Sequence, residues 1–426
     1  MRMQSLNGVI ASEKLKVKSV TERVVSNFAW SVLSESTGKG LFFVATLYLA
    51  RTLGVENFGL FTLAQTFTFY FWGAVDLGTN MYGIRELAKN KGSVEDIINP
   101  LLTLRITVGF AVFLLYVLSL SLFDMPEVKR LAFAGCGLYL LTYAFYPDWI
   151  FKGLEKFRYI SLGSLASSLF FLLATLSFVK GSQNLIVATF VWSASYLLGS
   201  TVLFYCLLRK LGVRFRLDFN FKSWRIHLSE SIFFQISGTL IMLTQYVPVV
   251  LLGIFFNDYT VGLFSAPYRI VVFVCHSGFL IMMSVYPVLS DLHHRDNSRF
   301  IKTQQNFLKL MLPAGLALAV IGTAFGDFIV KTALGEQYLQ ASGVFKLIVW
   351  LIPVYFIRYV YGTSLQITGK QRLHTVSSFA GLLIMITVGV LLTFYLGLSG
   401  AAATILLSES TCLAMILYFS KSELRA

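Results

Sequence analysis

Charge is what this sequence has little of. Asp, Glu, Lys and Arg together make up 13% of the 426 residues, about half the share of an ordinary soluble domain, which excludes a water-soluble globular class. Cysteine is scarce as well. Cys136, Cys206, Cys275 and Cys412 each sit inside an apolar stretch, without metal-ligand spacing and away from any loop that a disulfide would staple, so they read as small core residues. Also missing are a glycine-rich phosphate loop ending in Lys-Ser/Thr, an HExxH pair and paired His/Cys spacings. No catalytic residue, metal or cofactor is therefore expected. Residues 1–24 are polar and basic, with neither a long apolar core nor a small-residue cleavage site, so no cleavable signal peptide is expected.

What the chain has is apolar length. It is 56% hydrophobic with a mean hydropathy of +0.71, and stretches of the roughly 20 residues needed to span a bilayer recur twelve times. Approximate spans are 27–50, 57–80, 100–123, 131–151, 159–179, 185–208, 229–256, 259–289, 306–326, 343–366, 374–397 and 399–420. The reading is an all-α integral membrane protein with twelve transmembrane helices.

A net charge of +14 would suggest nucleic acid in a soluble protein. Here the basic residues segregate instead. With the N-terminus inside, the external loops hold only Arg51, Lys129, Arg130, Lys180, Lys331 and Lys346, and Lys39, Arg105, Arg269 and Arg358 lie within spans. The others fall on the cytoplasmic side, as the positive-inside rule requires. Both termini are expected in the cytoplasm, and no nucleic-acid partner is expected. The longest linker, 209–228, carries Arg209, Lys210, Arg214, Arg216, Lys222 and Arg225. It is a topology determinant or a surface for anionic headgroups. It separates a first six-helix bundle (25–208) from a second (229–426), after a cytoplasmic segment (1–24).

The halves are weakly alike. Gly59-Leu60-Phe61 matches Gly262-Leu263-Phe264, and Lys152-Gly153-Leu154-Glu155-Lys156-Phe157-Arg158 resembles Thr368-Gly369-Lys370-Gln371-Arg372. Six helices per repeat restore orientation, so the two bundles are expected to be related by a pseudo-two-fold axis along the membrane normal. Prolines favour the second half (Pro248, Pro267, Pro287, Pro313, Pro353), which predicts bent seventh and eighth helices.

Within the first span, Glu35 and Lys39 stand i, i+4 on one helix face, on a polar and small stripe with Asn27, Ser31, Ser34 and Gly38. Intramembrane charges each cost about 2.5–3.5 kcal/mol on insertion scales. They either pair inside a bundle or face a water-filled cavity.

Ala50-Arg51-Thr52-Leu53-Gly54-x-x-x-Phe58-Gly59, then Asp76-Leu77-Gly78 and Gly83-Ile84-Arg85-Glu86, resemble the polysaccharide-transporter family. That family holds the Wzx-type O-antigen flippases, in the superfamily that includes MATE exporters and lipid II flippases. The resemblance implies translocation of a polyprenyl-pyrophosphate-linked oligosaccharide across the cytoplasmic (inner) membrane. Intramembrane carboxylates make H+ or Na+ a candidate driving ion, and other polysaccharide assembly proteins are candidate partners. The lipid II branch carries a different arginine arrangement in its first helix, where this chain has Glu35 and Lys39.

Lys39, Arg269 and Arg358 suit a diphosphate, Arg as a planar fork and Lys as a point charge, unless the arginines are paired to carboxylates or helix-end carbonyls. Glu35, Asp76 and Glu409 are the candidates for ion coupling. Trp72, Tyr355 and Tyr359 are the candidates for sugar contacts, against belt or core packing. His276 reads as a satisfied bundle residue. Two rivals remain: a membrane polysaccharide polymerase or glycosyltransferase, which would need a larger external loop than 327–342, and a MATE-like exporter, whose cationic cargo would favour an acidic cavity.

Overall fold

The computed structural model describes residues 20–89 and 94–423, apart from the side chains of 20–35, 232–243 and 421–423. Among the described residues every regular element is a helix. In chain order these are α1 (Val20–Asp76), α2 (Thr79–Lys89), α3 (Glu95–Leu120), α4 (Glu127–Ala144), α5 (Asp148–Gly153), α6 (Phe157–Phe178) and α7 (Leu185–Arg209). Then follow α8 (Phe221–Phe255), α9 (Asp258–Arg295), α10 (Asn297–Ala324), α11 (Gly326–Leu334), α12 (Ser342–Ile348), α13 (Leu351–Ile367) and α14 (Gln371–Glu423), with 3-10 turns at Ser182–Asn184 and Glu336–Ala341.

Local sequence explains the boundaries. Asn220, Asn257 and Asp296 cap α8, α9 and α10, each side chain accepting from the backbone N–H three residues on. Two runs are interrupted by glycine: α1 at Gly54 (φ 80°) and α14 at Gly397 (φ 56°). An L side chain is strained at such angles, so glycine marks where each run divides into two arms. The expected spans 27–50 and 57–80 fall on the arms of α1, and 374–397 and 399–420 on those of α14. Pro248, Pro267, Pro287 and Pro313 lie inside α8, α9 and α10 and Pro100 lies inside α3, none of them ending its helix, whereas Pro147 stands between α4 and α5. Seven described helical stretches are long and apolar enough to cross a membrane. The count falls below twelve because α14 counts once, because the expected span 131–151 stops at Ala144 and resumes as α5, and because the expected spans on α1 and α8 are not among the seven.

Packing falls largely into two sets. In the first, α1 lies on α4 and α6, and α7 lies on α4 and α6; in the second, α8 lies on α14, and α13 lies on α9, α10 and α14. The sets meet along α1 and α9. There the two Gly-Leu-Phe motifs touch each other: a Cβ on Gly59 would sit 1.8 Å from the Asp258 carbonyl oxygen, and one on Gly262 would sit 1.9 Å from that of Val55. Small residues let the backbones come this close.

Beside this crossing the second set clasps the Gly54 break. The Tyr338 hydroxyl donates to the carbonyls of Ala50 (3.1 Å) and Gly54 (3.4 Å), Gln337 Nε2 donates to that of Arg51 (2.9 Å), and the Arg51 guanidinium donates to that of Thr332. Lys129 also pairs with Asp258 at 2.8 Å. The 209–228 linker docks on α3, where backbone N–H groups of Arg216 and Asp218 donate to Asn99 (3.2 Å) and Thr103 (3.0 Å). The start of α8 is tied to α2 through Tyr82 with His227 (2.9 Å) and Arg85 with Glu230 (2.6 Å).

Candidate functional site

Between the sets lies a cavity of about 1020 Å³. The first arm of α1 brings Lys39 to it and the second arm brings Thr62 and Gln65. From α9 come Arg269 and His276, from α13 Tyr355, Arg358 and Tyr359, and from α14 Glu409. Helical spacing makes this convergence, since 355, 358, 359 and 362 share one face of α13.

The three cations meet different surroundings. Arg269 Nη2 donates to Gln65 Oε1 at 2.6 Å and to Thr62 Oγ1 at 3.3 Å, and its guanidinium lies 5.4 Å from the centre of the Phe58 ring. Among the described residues no carboxylate pairs with it. Arg358 forms an ion pair with Glu409, whose other oxygen accepts from the Tyr355 hydroxyl at 3.0 Å; a second guanidinium nitrogen reaches Ser378 Oγ at 3.4 Å. Lys39 Nζ meets the imidazole of His276, bridging α1 and α9 across the cavity.

Six sequence candidates therefore line one cavity: Lys39, Arg269, Arg358, Glu409, Tyr355 and Tyr359. Two do not. Asp76 Oδ1 accepts from the Tyr143 hydroxyl at 3.0 Å and stands 3.9 Å from Arg105, which is fully buried, stacks on the Tyr143 ring at 4.3 Å and donates to the Tyr143 carbonyl. Trp72 packs edge-on against the same ring at 5.3 Å. Both continue the helical stripe of Gln65, but α3 and α4 cover that end of α1, so the stripe runs out of the cavity into the interior. The Glu35 side chain lies outside the described residues. All four cysteines are buried and free.

Sequence reasoning gave Arg105 no role, because its partners Asp76 and Tyr143 are remote in the chain. It also passed over Trp192, Tyr196 and Tyr246, which line the cavity. The i, i+4 spacing of Trp192 and Tyr196 was the available signal.

Helices sharing a central cavity, with half-buried cations in its wall, define a polytopic membrane protein of transporter architecture. The solved structure of the lipid II flippase MurJ in an inward closed conformation has a similar fold (TM-score 0.75, 12% identity, 92% of this chain and 87% of that one). So does the inward-facing conformation of a multidrug resistance MATE family transporter of the MOP superfamily (TM-score 0.66, 14% identity, 89% and 93%). The chain belongs to the polysaccharide biosynthesis protein family, whose match covers residues 24–293. It is 26% identical over 390 residues to a proposed O-antigen transporter of Escherichia coli strain K12, covering 88% of this chain and 91% of that protein.

Proposed function

We propose that this chain is a flippase that carries a polyprenyl-pyrophosphate-linked oligosaccharide, an O-antigen or other surface-polysaccharide unit, across the cytoplasmic membrane by alternating access. The observation that carries the reading is Arg269, a cation in the cavity wall with only neutral partners among the described residues. A half-buried guanidinium within an apolar helix and without a carboxylate is costly unless an anion visits it, and a diphosphate matches its fork. Among the described lining residues Glu409 is the one carboxylate, and Arg358 already holds it. That balance disfavours a MATE-like exporter of cations. Family membership and the likeness to a proposed O-antigen transporter support the same reading.

In this reading the chain has twelve spans in two six-helix bundles, 25–208 and 229–426, related by a pseudo-two-fold axis along the membrane normal. The 209–228 linker and both termini face the cytoplasm. The diphosphate meets Arg269 and Lys39, and it meets Arg358 once Glu409 lets go. The glycan fills the wet cavity, with Tyr359 within its reach, and the prenyl tail stays in lipid. Rocking of one bundle on the other about the α1–α9 crossing exposes the site alternately. Glu409 lines the cavity and is the better carrier of a coupling H+ or Na+ than Asp76.

Reconstitution into vesicles with a defined lipid-linked oligosaccharide tests this. Transfer between leaflets should require the protein and respond to an ion gradient. A folded protein that transfers no such lipid under any gradient would overturn the reading.

A further inference from the structure

One wall of the cavity is built from aromatic rings contributed by α1, α4, α7 and α8. Phe69 stacks on Tyr246 with centroids 5.2 Å apart, and Trp192 stacks on Tyr139 at 4.9 Å. Tyr196 meets Tyr139 and Trp192 edge-on at 4.7 Å and 5.7 Å. Tyr139 and Trp192 are buried, whereas Tyr196 and Tyr246 are half-buried and line the cavity together with Tyr268 of α9. Tyr268 is the chain neighbour of Arg269.

The hydroxyls set this wall apart from a packed core. Among the described residues those of Tyr196, Tyr246 and Tyr268 have no hydrogen-bond partner, and none is among the sealed-off polar atoms. Other hydroxyls inside the protein are committed: Tyr116 donates to the Phe133 carbonyl, Tyr143 to Asp76 and Tyr355 to Glu409, whereas those of Tyr139, Tyr146 and Tyr359 share the uncommitted state among the described residues. Interior tyrosines normally find a partner, and where packing alone is needed phenylalanine serves as well. Three uncommitted hydroxyls over an aromatic floor, beside a guanidinium, match a ligand with an apolar face and an edge of hydroxyls. A pyranose ring has that shape: its axial C–H groups contact an aromatic face weakly, and its hydroxyls exchange hydrogen bonds with tyrosine.

We propose that this wall is the glycan subsite, and that it holds the sugar residues nearest the diphosphate. The inference rests on the flippase reading and adds to it the residues that distinguish a glycosylated lipid from a bare prenyl diphosphate. The sugar face lies against Tyr196 and Tyr246, with Trp192 packed behind them, while Arg269 holds the adjoining phosphate. This moves the principal sugar contacts away from Tyr355, whose hydroxyl is committed to Glu409, and from Trp72, which is outside the cavity.

The test compares two probes on the purified full-length protein in detergent by calorimetric titration. One is a short-chain prenyl diphosphate carrying a single N-acetylhexosamine, and the other is the same prenyl diphosphate without sugar. The parent should bind the sugar-bearing probe at least about tenfold more tightly, equivalent to about 1.4 kcal/mol. The Tyr196→Phe/Tyr246→Phe variant should remove most of that preference and leave the affinity for the bare probe unchanged. Its melting temperature should match the parent's, because the deleted hydroxyls have no partner among the described residues; each single variant should show part of the effect. A well-folded double variant that keeps the full preference overturns the subsite. A parent that binds both probes equally also overturns it and leaves the diphosphate reading standing. A parent that binds neither defeats the flippase reading and this inference with it.

Discussion

Arg358 on α13 and Glu409 on α14 are bound to each other inside the cavity wall, so a candidate anion ligand and a candidate coupling carboxylate are one ion pair. Each neutralises the other's field, and neither is available to a second charged partner while the pair is closed. An incoming diphosphate competes with Glu409 for the same guanidinium, and an incoming cation competes with Arg358 for the same carboxylate.

Removing one partner from a buried pair leaves the other uncompensated, at a cost of about 3–5 kcal/mol. Glu409→Gln should therefore lower the melting temperature clearly, and Arg358→Gln/Glu409→Gln should recover much of the loss. In vesicles Glu409→Gln should abolish the response of lipid transfer to a gradient. Equal melting of single and double variants would show that the two charges are energetically independent.

Arg269 predicts the opposite balance. Its partners are neutral, so Arg269→Met should melt at or above the parent's temperature while losing diphosphate binding. Truncating one side of a buried charged contact costs about 2 kcal/mol or more, roughly a thirtyfold loss of affinity. Arg269→Lys should recover only part of it, since the charge stays and the fork is lost. Unchanged binding by folded Arg269→Met would make this arginine structural.

The glycine crossing can be probed with an internal control. Gly59→Ala and Gly262→Ala would push a methyl group into a facing carbonyl, and overpacking of this kind costs about 1–3 kcal/mol. Gly40, on the first arm of α1, has nothing among the described residues within 4 Å of an added Cβ. Gly40→Ala should be neutral or stabilising by about 0.4–1 kcal/mol. Melting curves of the three variants decide it.

His227, at the start of α8, gives a pH dependence. Burial holds its imidazole below the ordinary value of 6.5, against the opposing pull of Glu230 and Glu86. The folded protein thus takes up this proton less readily than the unfolded chain. The contribution is complete above pH 6.5 and is lost as pH falls below it toward the folded value. Replacing His227 by Gln should flatten that part of the melting profile.

Much of the fold was legible because apolar length and helical period are local signals. The Gly-Leu-Phe repeat was legible as well, although its meaning was not: the two copies lie face to face, and nothing in either copy names its partner. Lys39, Arg269, Arg358 and Glu409 could be found because charge in an apolar run is rare. Their different partners could not, since Gln65 lies far from Arg269 in the chain and Glu409 lies far from Arg358. Asp76 shows the converse. It sits on the right helical stripe, but α3 and α4 cover that end of α1, and coverage by another helix leaves no mark on the stripe itself.

The clasp around Gly54 has a consequence for how the chain tolerates change. Tyr338, Gln337 and Arg51 all donate to main-chain carbonyls, so what they recognise at Ala50, Arg51, Gly54 and Thr332 is backbone position rather than side-chain identity. Replacing Ala50 or Thr332 by another small residue leaves the acceptors in place. Inserting or deleting one residue between Leu49 and Gly54 swings each following carbonyl about 100° around the helix axis, and no substitution on the opposite side can follow it. The segment is thus strict in length throughout and permissive in spelling at Ala50, while Arg51, whose side chain donates, and Gly54, at φ 80°, are held to their identities. Single-residue deletions across 48–56 and small-residue substitutions at Ala50 and Thr332, scored by melting temperature, should separate into two distinct groups on that basis.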